Sequence, residues 1–441
     1  IYVNIPFCQC CCFYCISFSL KLRKTEKVLS NYLKLIYEEM NAFASVLKDI
    51  QVGVVYFGGG TPSLLTEKTI EDLFGNLRKK FRINEHTKII FEASPFTLNH
   101  KKLDLLKKMN VTEVDFGIQS FDQKVLNKNR RPQNVEKTIE IIKYAEKIGI
   151  PSITFDIMLG MPYQSIASCL NSLKKAISLQ PEGIYINEFL PLKYTDFCLE
   201  NNVYSKHDML LRESAAKQAD KILREAGYLP SDQGYRKNPE PEERSYLTQE
   251  SANILGLGFG SFSHACGSLK YEMAYPLKEF FEKVGGAKYF FSDMGKKLKA
   301  LFDENKKLEK LYKNTKRHKN SSRIYVGLKL DINKEMCNFA YSKLRNISFK
   351  EFKKIFKKDF REIFKKQLLV LKSLNLIGIE EDSLVFFVKN IAEEKVIRTF
   401  FMDKEYIYNA LNSSSEKYDP KKDYLSIIRK TSRLLSTTGL R

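Results

Sequence analysis

Two kinds of segment alternate along the first half of the chain. Short apolar runs rich in valine, isoleucine and phenylalanine have the length of buried strands. Each is followed by a longer segment whose apolar residues recur every three or four positions, as in TEKVLSNYLKLIYEEMNAFA, KTIEDLFGNLRKKF and NVEKTIEIIKYAEKIG. The first pattern predicts strands and the second predicts amphipathic helices. Their alternation predicts an α/β fold with a parallel sheet.

Six segments have the strand pattern, and most of them end in glycine or in a polar residue. They are YVNI at the start, GVVYFGGGTP (53–62), KIIFEASP (88–95), EVDFGIQSF (113–121), SITFDIMLGMP (152–162) and GIYINEFL (183–190). Polar residues at the carboxyl ends of parallel strands are typical of functional sites in β/α folds.

The C-terminal part has a different pattern. The segment ISFKEFKKIFKKDFREIFKKQLLVLKSLNLIGIEEDSLVFF (347–387) predicts helix, helix and a two-strand wing that turns at Glu381 to Ser383. We therefore expect three regions. They are a core over 1–235, a connection with a Gly-rich strand over 236–320, and an accessory domain over 321–441.

Composition narrows the class of protein. The 441 residues are 43% hydrophobic and 28% charged, which indicates a globular protein, and no apolar run reaches the roughly 18 to 20 residues of a membrane helix. The net charge of +21 raises the alternative of nucleic-acid binding. Lysines are spread over helix surfaces together with glutamates, so we expect no nucleic-acid partner. The densest basic stretch, 306–320, is interpreted as a solvated helix or linker.

Cysteine usage points to a metal site. Five of the nine cysteines lie in IPFCQCCCFYC (5–15), and an odd total with one cluster indicates a reducing cytoplasm rather than a disulfide framework. A structural zinc site needs a second cysteine pair, and a C-x-x-C redox pair of Cys12 and Cys15 leaves Cys8 unused. Cys8, Cys12 and Cys15 place three thiolates on one loop, one fewer than an iron–sulfur cube normally takes. Cys10 and Cys11 are interpreted as bystanders.

Residues near the strand ends supply further candidates. Gly58 to Gly60 let the backbone approach a ligand, or form a plain strand–helix turn. Thr61 is predicted to cap the next helix, to touch a ligand, or both. Glu92 is a carboxylate at the end of an apolar strand, which requires a partner, and a salt bridge is the alternative to a ligand.

The C-x3-C-x2-C spacing resembles the signature of the radical S-adenosylmethionine (SAM) superfamily. In that family the open iron of a [4Fe–4S] cluster binds SAM, and one electron splits the sulfonium to release a 5′-deoxyadenosyl radical. The resemblance implies a partial (β/α)6 TIM-like barrel and cluster ligation by Cys8, Cys12 and Cys15. It also implies that Tyr14 packs near the cluster and adenine, with local packing as the alternative.

The same resemblance implies a set of SAM contacts. Gly59 and Gly60 would meet the amino group with Thr61 beside them, Glu92 would bind SAM, and Gln119 would contact the ribose. Arg131, twelve residues after Gln119, would pair with the SAM carboxylate, for which an arginine fork is suited. Asp156 would contact SAM or its ribose, with a structural hydrogen bond as the alternative.

Four further motifs indicate which branch of the superfamily the chain resembles: YVNIPFC, YFGGGTPS, GIQSFD and DIMLGMP. Together they resemble the oxygen-independent coproporphyrinogen III oxidase family, which includes the haem chaperone HemW. The resemblance covers residues 1–192 and returns at ILGLGFGSFSH (254–264), the family's Gly-rich strand, where Gly258 would line the SAM pocket. Tyr2 would line the same pocket or be an ordinary strand aromatic. The C-terminal region resembles the family's winged-helix-like domain.

The chain also departs from this family. Ser17 stands where the oxidases carry a fourth cysteine, and the Asn-x-x-Tyr-Trp signature of the chaperones is missing because the chain has no tryptophan. Three functions therefore stay open: an oxidase, a radical methyltransferase acting on haem or another aromatic substrate, and a haem chaperone. We expect a tetrapyrrole or similar flat substrate and a flavodoxin- or ferredoxin-type electron donor. His264 would meet haem or substrate, or be a satisfied structural histidine.

Overall fold

The chain divides into two compact units in the computed structural model. The first contains 1–244, 254–263 and 271–328, and the second contains 245–253, 264–270 and 329–441. The predicted boundaries near 235 and 320 stay a prediction, and Ser17, Cys266 and the basic stretch 306–320 lie outside the described residues. The structure describes 1–15, 20–21, 26–47, 49–191, 195–200, 202–231, 234–238, 253–265, 269–274, 324–327, 332–344, 347–373, 375–387, 397 and 401.

A nine-stranded sheet forms the centre of the first unit. Its six central strands are parallel and follow one another in chain order, as the six strand patterns predicted. They are β1 (Tyr2–Ile5), β4 (Val54–Gly59), β5 (Lys88–Ala93), β6 (Glu113–Gln119), β7 (Ser152–Leu159) and β8 (Gly183–Glu188).

The other described strands up to residue 327 lie outside these six. A short pair, β2 (Phe7–Cys8) and β3 (Leu20–Lys21), follows β1 in the chain. Strand β11 (Gly256–Leu257) lies parallel to β1, and β10 (Tyr235–Arg236) joins β8 to β9 (Leu229–Pro230) with antiparallel pairings. Strand β12 covers Phe262–Ala265, and β13 (Leu269–Ala274) pairs with β14 (Ile324–Gly327).

Helices follow the central strands, which confirms the predicted β/α order. A 3-10 helix over Pro62–Leu64 directly follows β4. No helix within the described ranges is long and apolar enough to span a membrane. The α-helices of this unit are α1 (Glu26–Leu47), α2 (Glu67–Lys80), α3 (His100–Lys108), α4 (Gln123–Lys128), α5 (Val135–Lys147), α6 (Ile166–Ser178), α7 (Asp196–Leu199) and α8 (Lys206–Glu225).

The two faces of the sheet differ in chemistry because successive strand residues point to opposite sides. On one face Phe57, Phe91 and Phe116 are fully buried in the main hydrophobic core. Phe57 stacks on Phe74 of α2 with ring centroids 4.7 Å apart. The alternate positions are largely polar, and the register sets Glu92 beside Asp115. One face therefore holds the helices, and the other carries the candidate site.

A buried ion-pair network lies near the amino ends of these strands. Arg236 Nη2 donates to Glu113 Oε2 at 2.9 Å, and Lys88 Nζ lies 3.3 Å from the same oxygen. Tyr185 donates its hydroxyl to Glu113 Oε1 at 3.3 Å. Burial opposes ionisation of Glu113, but Lys88 and Arg236 hold its pKa below the ordinary value. The network thus places the Glu113 carboxylate between two cations at this end of the polar face.

The second unit has a core of its own. Phenylalanine side chains dominate it, and Phe352 is fully buried among Phe339, Phe356 and Phe360. A hairpin follows the helices and closes with a hydrogen bond from Glu380 N–H to Ser383 O at 3.0 Å. This confirms the predicted helix, helix and wing. The elements are α9 (Ile332–Lys343), α10 (Phe349–Phe356), α11 (Phe360–Ile363), α12 (Lys365–Ser373), β15 (Ile377–Ile379) and β16 (Leu384–Phe386).

Candidate active site

The cysteine loop is fixed by backbone hydrogen bonds to two other segments. Phe13 N–H donates to Asn129 O at 3.0 Å, and Phe197 N–H donates to Phe13 O at 3.0 Å. Within the loop, Cys15 N–H donates to Cys12 O at 3.1 Å. Asn129 follows α4 and Phe197 lies in α7, so contacts distant in sequence fix the position of the thiols.

The thiols of this loop lie in different surroundings. Cys12 is buried, and its Sγ lies 3.8 Å from Cys10 Sγ. The hydrogen bond with Cys10 and the charge of Arg131 lower the pKa of Cys12 to about 6 against the opposing effect of burial. Cys8 Sγ lies 3.2 Å from Thr61 Oγ1, which links the cysteine loop to the Gly-rich loop.

The thiols of the cysteine loop are the candidate ligands for a metal group. No disulfide joins the cysteines that the structure describes, and no three His, Cys, Asp or Glu side chains there converge as ligands of a single ion. A [4Fe–4S] cube makes a different demand, because each of its thiolates binds a different iron atom. Cys8, Cys12 and Cys15 supply three such donors from one loop.

The glycines after β4 approach β1 closely. Gly59 has a φ of +111°, and a Cβ there would overlap Asn4 Oδ1. A Cβ on Gly60 would lie 2.7 Å from Phe7 O, and Gly60 N–H donates to Ile5 O at 2.8 Å. Packing of this loop against the N-terminal strand thus requires glycine at both positions. Their predicted contact with SAM stays a prediction.

Thr61 differs from one of its expected roles. Its side chain makes no capping hydrogen bond to the 3-10 helix that follows, and the cap of α2 is Thr66. Instead Thr61 Oγ1 donates to Gly60 O at 2.8 Å and faces Cys8 Sγ. The capping prediction was therefore wrong, because the backbone makes a tight 3-10 turn that ends before α2 begins.

Three carboxylates occupy the polar face on consecutive strands. Glu92 Oε1 accepts from the Tyr56 hydroxyl at 2.7 Å, and the Gly59 amide also hydrogen-bonds to this carboxylate. Burial raises the pKa of Glu92 to about 7, and the nearby charge of Asp156 adds to the shift. Among the described ion pairs Glu92 has no cationic partner, so the salt-bridge alternative finds no support there.

Asp115 and Asp156 continue this group toward β7. Burial raises the pKa of Asp156 to about 6, while the Asn187 amide donates to its Oδ1 at 3.0 Å and opposes the shift. Asp115 accepts from Thr154 at 3.0 Å, and burial with the charges of Asp156 and Glu92 raises its pKa well above the ordinary value. Because like charges lie close together here, ionisation of one of these carboxyl groups opposes ionisation of its neighbours.

Arg131 lies next to the cysteine loop and is 8% exposed. Its Nη1 donates to Cys12 Sγ at 3.7 Å and to the Tyr14 hydroxyl at 3.1 Å. Its Nη2 donates to Ser94 Oγ at 3.1 Å and to the Gly117 carbonyl, and its Nε donates to Gln133 Oε1 at 2.8 Å. All five guanidinium N–H groups thus have acceptors within the chain. Its predicted pairing with the SAM carboxylate stays a prediction.

Gln119 ends β6 with an unusual backbone. Its φ is +68°, and the register between β6 and β7 shifts between Gly117 and Gln119. Gln119 Oε1 is buried without a hydrogen-bond partner in the described part of the chain. A buried acceptor without a donor is costly, and such an atom in a native site is explained by a ligand or solvent. This observation is compatible with the predicted contact to a ribose hydroxyl.

The three remaining predicted residues lie in three different places. The Tyr2 ring lies 5.7 Å from that of Tyr56, so it borders the carboxylates. Gly258 has a φ of +92°, and its amide donates to Glu39 Oε2 of α1 at 2.7 Å. The structure thus brings Tyr2 to the carboxylates and fixes Gly258 against α1. His264 Nε2 lies 2.7 Å from Glu335 Oε2 within the second unit, and both expected roles of His264 stay predictions.

Sequence reasoning missed several residues that hold the site together. Each is a polar side chain that lies in or beside an apolar strand, or in a loop. That polarity was the signal available in the sequence. They are Asn4, Tyr56, Ser94, Asp115, Gln133 and Asn187.

The comparisons with known proteins show similarity to radical SAM proteins and to coproporphyrinogen III oxidases and their relatives. The family model of the Radical SAM superfamily matches residues 2–176. The chain is 26% identical over 281 residues to the oxygen-independent coproporphyrinogen III oxidase of Bradyrhizobium diazoefficiens, covering 60% of this chain and 62% of that protein. It is 27% identical over 262 residues to the haem chaperone HemW of Buchnera aphidicola, covering 59% and 69%.

A solved structure supports the fold. Coproporphyrinogen III oxidase (HemN) from Escherichia coli, described as a radical SAM enzyme, superimposes with a TM-score of 0.68 at 20% identity. The match covers 91% of this chain and 89% of that one. These findings confirm the predicted TIM-like radical SAM fold and the resemblance to the coproporphyrinogen III oxidase-like family. The aligned part spans under two thirds of the Bradyrhizobium protein, so activity and substrate are matters for proposal.

Proposed function

We propose that this chain is a radical SAM enzyme that uses a [4Fe–4S] cluster to cleave SAM and acts on a tetrapyrrole. The single observation that carries the proposal is the placement of three thiols on one fixed loop, beside a Gly-rich loop and Arg131. This loop follows β1, at the edge of the sheet where the parallel strands end. Ligands of β/α folds bind at that edge.

The residues present fit both the [4Fe–4S] cluster and SAM. Cys8, Cys12 and Cys15 would hold the cluster, and the hydrogen-bond donors beside Cys12 suit a thiolate. The orphaned Gln119 Oε1 suits a hydroxyl donor. The residues proposed to orient SAM are Tyr2, Tyr14, Gly59, Gly60, Thr61, Glu92, Gln119, Arg131, Asp156 and Gly258.

Cluster and SAM together supply the radical, and the protein supplies position and exclusion of water. The carboxyl group of Glu92, with a pKa of about 7, would hold or release a proton near neutral pH, while the Tyr56 hydroxyl donates to its Oε1 and keeps that oxygen in place. Asp156 is fixed by Asn187 in the same way. These side chains would orient an amine or hydroxyl of a ligand without moving themselves.

The substrate class rests on the relatives. The oxidase relative is named for coproporphyrinogen III and the chaperone relative for haem, and both are tetrapyrrole proteins. We propose an electron donor of the flavodoxin or ferredoxin type, a cytoplasmic location, and no nucleic-acid partner. Methyl transfer to haem or another aromatic substrate, and haem delivery, are the competing functions. The proposed regions are 1–235, 236–320 and 321–441.

The first test is SAM cleavage. Protein is reconstituted anaerobically with iron and sulfide, reduced with dithionite and given SAM, and 5′-deoxyadenosine is measured by mass spectrometry. Release of 5′-deoxyadenosine that is lost in Cys12→Ala supports the proposal. Cys169→Ala is the matched control, because Cys169 is buried in α6 away from the loop. Intact SAM beside a fully loaded cluster would contradict enzymatic function.

A second experiment separates the functions. Coproporphyrinogen III or haem is added to the reduced enzyme with SAM. Loss of carbon dioxide from a propionate side chain identifies an oxidase, and a methylated product with S-adenosylhomocysteine identifies a methyltransferase. A haem spectrum without consumption of SAM identifies a chaperone.

A further inference from the structure

The guanidinium of Arg131 is directed at a sulfur atom of the cysteine loop. We propose that Arg131 is a positioning residue for the cluster itself, donating an N–H hydrogen bond to the Cys12 thiolate and raising the reduction potential of the cluster. The inference rests on the proposed function, since it needs a cluster on Cys12. It is separate from the expected role of Arg131 in binding SAM, for which one of the five bound N–H groups would have to exchange its acceptor, and it holds when SAM is absent.

The first supporting observation is geometric. Nη1 lies 3.7 Å from Cys12 Sγ, a distance typical of a hydrogen bond to sulfur, and the same nitrogen lies 3.1 Å from the Tyr14 hydroxyl. Cys12 and Tyr14 both belong to the cysteine loop. Nη1 therefore serves that loop and holds a ligand residue together with its neighbour.

The second observation is that the rest of the guanidinium is anchored elsewhere. Nη2 donates to Ser94 Oγ and the Gly117 carbonyl, and Nε donates to Gln133 Oε1. Gln133 is itself held by a bond from Nε2 to Ile118 O at 3.1 Å. Three N–H groups are thus bound to the ends of β5 and β6 and to the loop beyond. They hold the planar guanidinium in one orientation, with Nη1 facing the sulfur of Cys12.

The third observation concerns the environment of the charge. Arg131 is 8% exposed, and its Cζ lies 5.3 Å from the centre of the Phe96 ring. A cation in such a low-dielectric setting acts more strongly on a neighbouring charge than one in water. Hydrogen bonds to cluster sulfurs and nearby charge are established determinants of reduction potential.

The direction of the effect follows from charge. Reduction adds one electron to the cluster and breaks no bond, so the reduced form is more negative. A buried cation with an N–H aimed at a ligand sulfur stabilises that form more than the oxidised one. Removal of Arg131 should therefore make the potential more negative and the cluster harder to reduce.

The neighbouring arginine provides a matched control. Arg130 carries the same charge, is exposed, and forms a two-point ion pair with Glu200 at 2.6 and 2.7 Å. Its Cζ lies 4.4 Å over the Phe13 ring of the cysteine loop. Because its charge is paired and solvated, its loss should shift the potential far less than loss of Arg131.

The experiment is an anaerobic redox titration without SAM, followed by electron paramagnetic resonance. Arg131→Met, Arg131→Lys and Arg130→Met are compared with the unsubstituted protein. We expect the Met variant at 131 to have the most negative potential, the Lys variant to lie between it and the unsubstituted protein, and Arg130→Met to lie near the latter. Equal potentials in all four proteins, or equal shifts at 130 and 131, would overturn the inference.

A measurement on the unsubstituted protein covers the case in which these variants do not fold. Arginine labelled with ¹⁵N in the guanidinium is incorporated, and the reduced cluster is examined by pulsed electron paramagnetic resonance. A ¹⁵N hyperfine coupling without SAM supports the contact, and its absence overturns it. Failure of the unsubstituted protein to assemble a cluster is a separate outcome, because it contradicts the proposed function.

Discussion

Gly59 lies so close to Asn4 that a Cβ on Gly59 would overlap the amide oxygen of Asn4. Asn4 also donates from Nδ2 to the Phe259 carbonyl. One side chain of β1 therefore contacts both the Gly-rich loop after β4 and the glycine-containing segment after β11. The N-terminal strand and the two glycine-rich segments are held as one structure.

Substitution of Gly59 by alanine should destabilise the protein. The φ of +111° is unfavourable for alanine, and the new Cβ would displace the Asn4 side chain, so we expect a loss of about 1 to 3 kcal/mol. Urea unfolding of the cluster-free protein measures this loss. Gly75→Ala is the matched control, because Gly75 lies in α2 and a Cβ there meets nothing within 4 Å. The control should gain up to about 1 kcal/mol, and equal effects at both positions would contradict the packing argument.

The raised pKa of Glu92 predicts a pH-dependent stability. In the folded protein the pKa of Glu92 is about 7, whereas the ordinary pKa of a glutamate is 4.5. Between these values the folded state binds more protons than the unfolded state, so stability falls as pH rises. Glu92→Gln removes this loss of stability. The free energy of unfolding of the variant, compared with that of the unsubstituted protein, should therefore increase across this pH range by at most about 3 kcal/mol.

Urea unfolding of the cluster-free protein at several pH values checks this prediction. Tyr56→Phe is the informative companion, because the Tyr56 hydrogen bond lowers the pKa of Glu92. Without that bond, the pH range of the stability loss should move upward. A difference between Glu92→Gln and the unsubstituted protein that is the same at every pH would show that the pKa of Glu92 is not raised by folding.

The buried network around Glu113 predicts a large effect of a single substitution. Glu113→Gln removes the carboxylate that Arg236 and Lys88 contact and places a neutral amide beside the buried guanidinium, which should cost about 3 to 5 kcal/mol. Replacing Glu113 and Arg236 together by methionine should recover part of this loss, because the buried guanidinium is then removed together with its carboxylate. Glu225→Gln, in an exposed pair with Lys221, should change stability by less than about 1 kcal/mol. A loss no larger than that of the surface control would refute the prediction.

Cys10 and Cys11 are predicted to be dispensable for the cluster. Replacing both by serine should leave about four irons per chain after reconstitution, the content of one cube. Cys8→Ser should lower that content. If the double variant instead loses iron, at least one of the two thiols is a ligand, and Cys10→Ser alone then tests Cys10, whose sulfur lies 3.8 Å from that of Cys12. Iron analysis with the spectrum of the cluster distinguishes these outcomes.

Much of the fold was predictable because its signals are local. Periods of two and of 3.6 residues identify strands and helices within single segments, and the order of these elements restricts the topology of the sheet. The cysteine spacing and the glycines after β4 are likewise read within a few residues. The wing of the second unit was predictable for the same reason.

The contacts of the candidate site were less predictable because they join distant segments. Thr61 was expected to cap a helix, a local inference, but its hydroxyl meets Gly60 and Cys8 instead. Glu92 was identified as a buried carboxylate, yet its partner Tyr56 is 36 residues away. No periodicity encodes such a pair, since it depends on which residues the sheet register brings together.

Sequence alone determined the β/α order, the three-cysteine loop and the polar residues at the strand ends, because each depends on neighbours along the chain. Tertiary structure alone decided that Arg131 faces Cys12. Its acceptors come from the cysteine loop, β5, β6 and the loop after α4, segments up to 119 residues apart. The parallel register of the sheet and the burial of the charge bring those acceptors around one guanidinium, and both exist only in the folded chain.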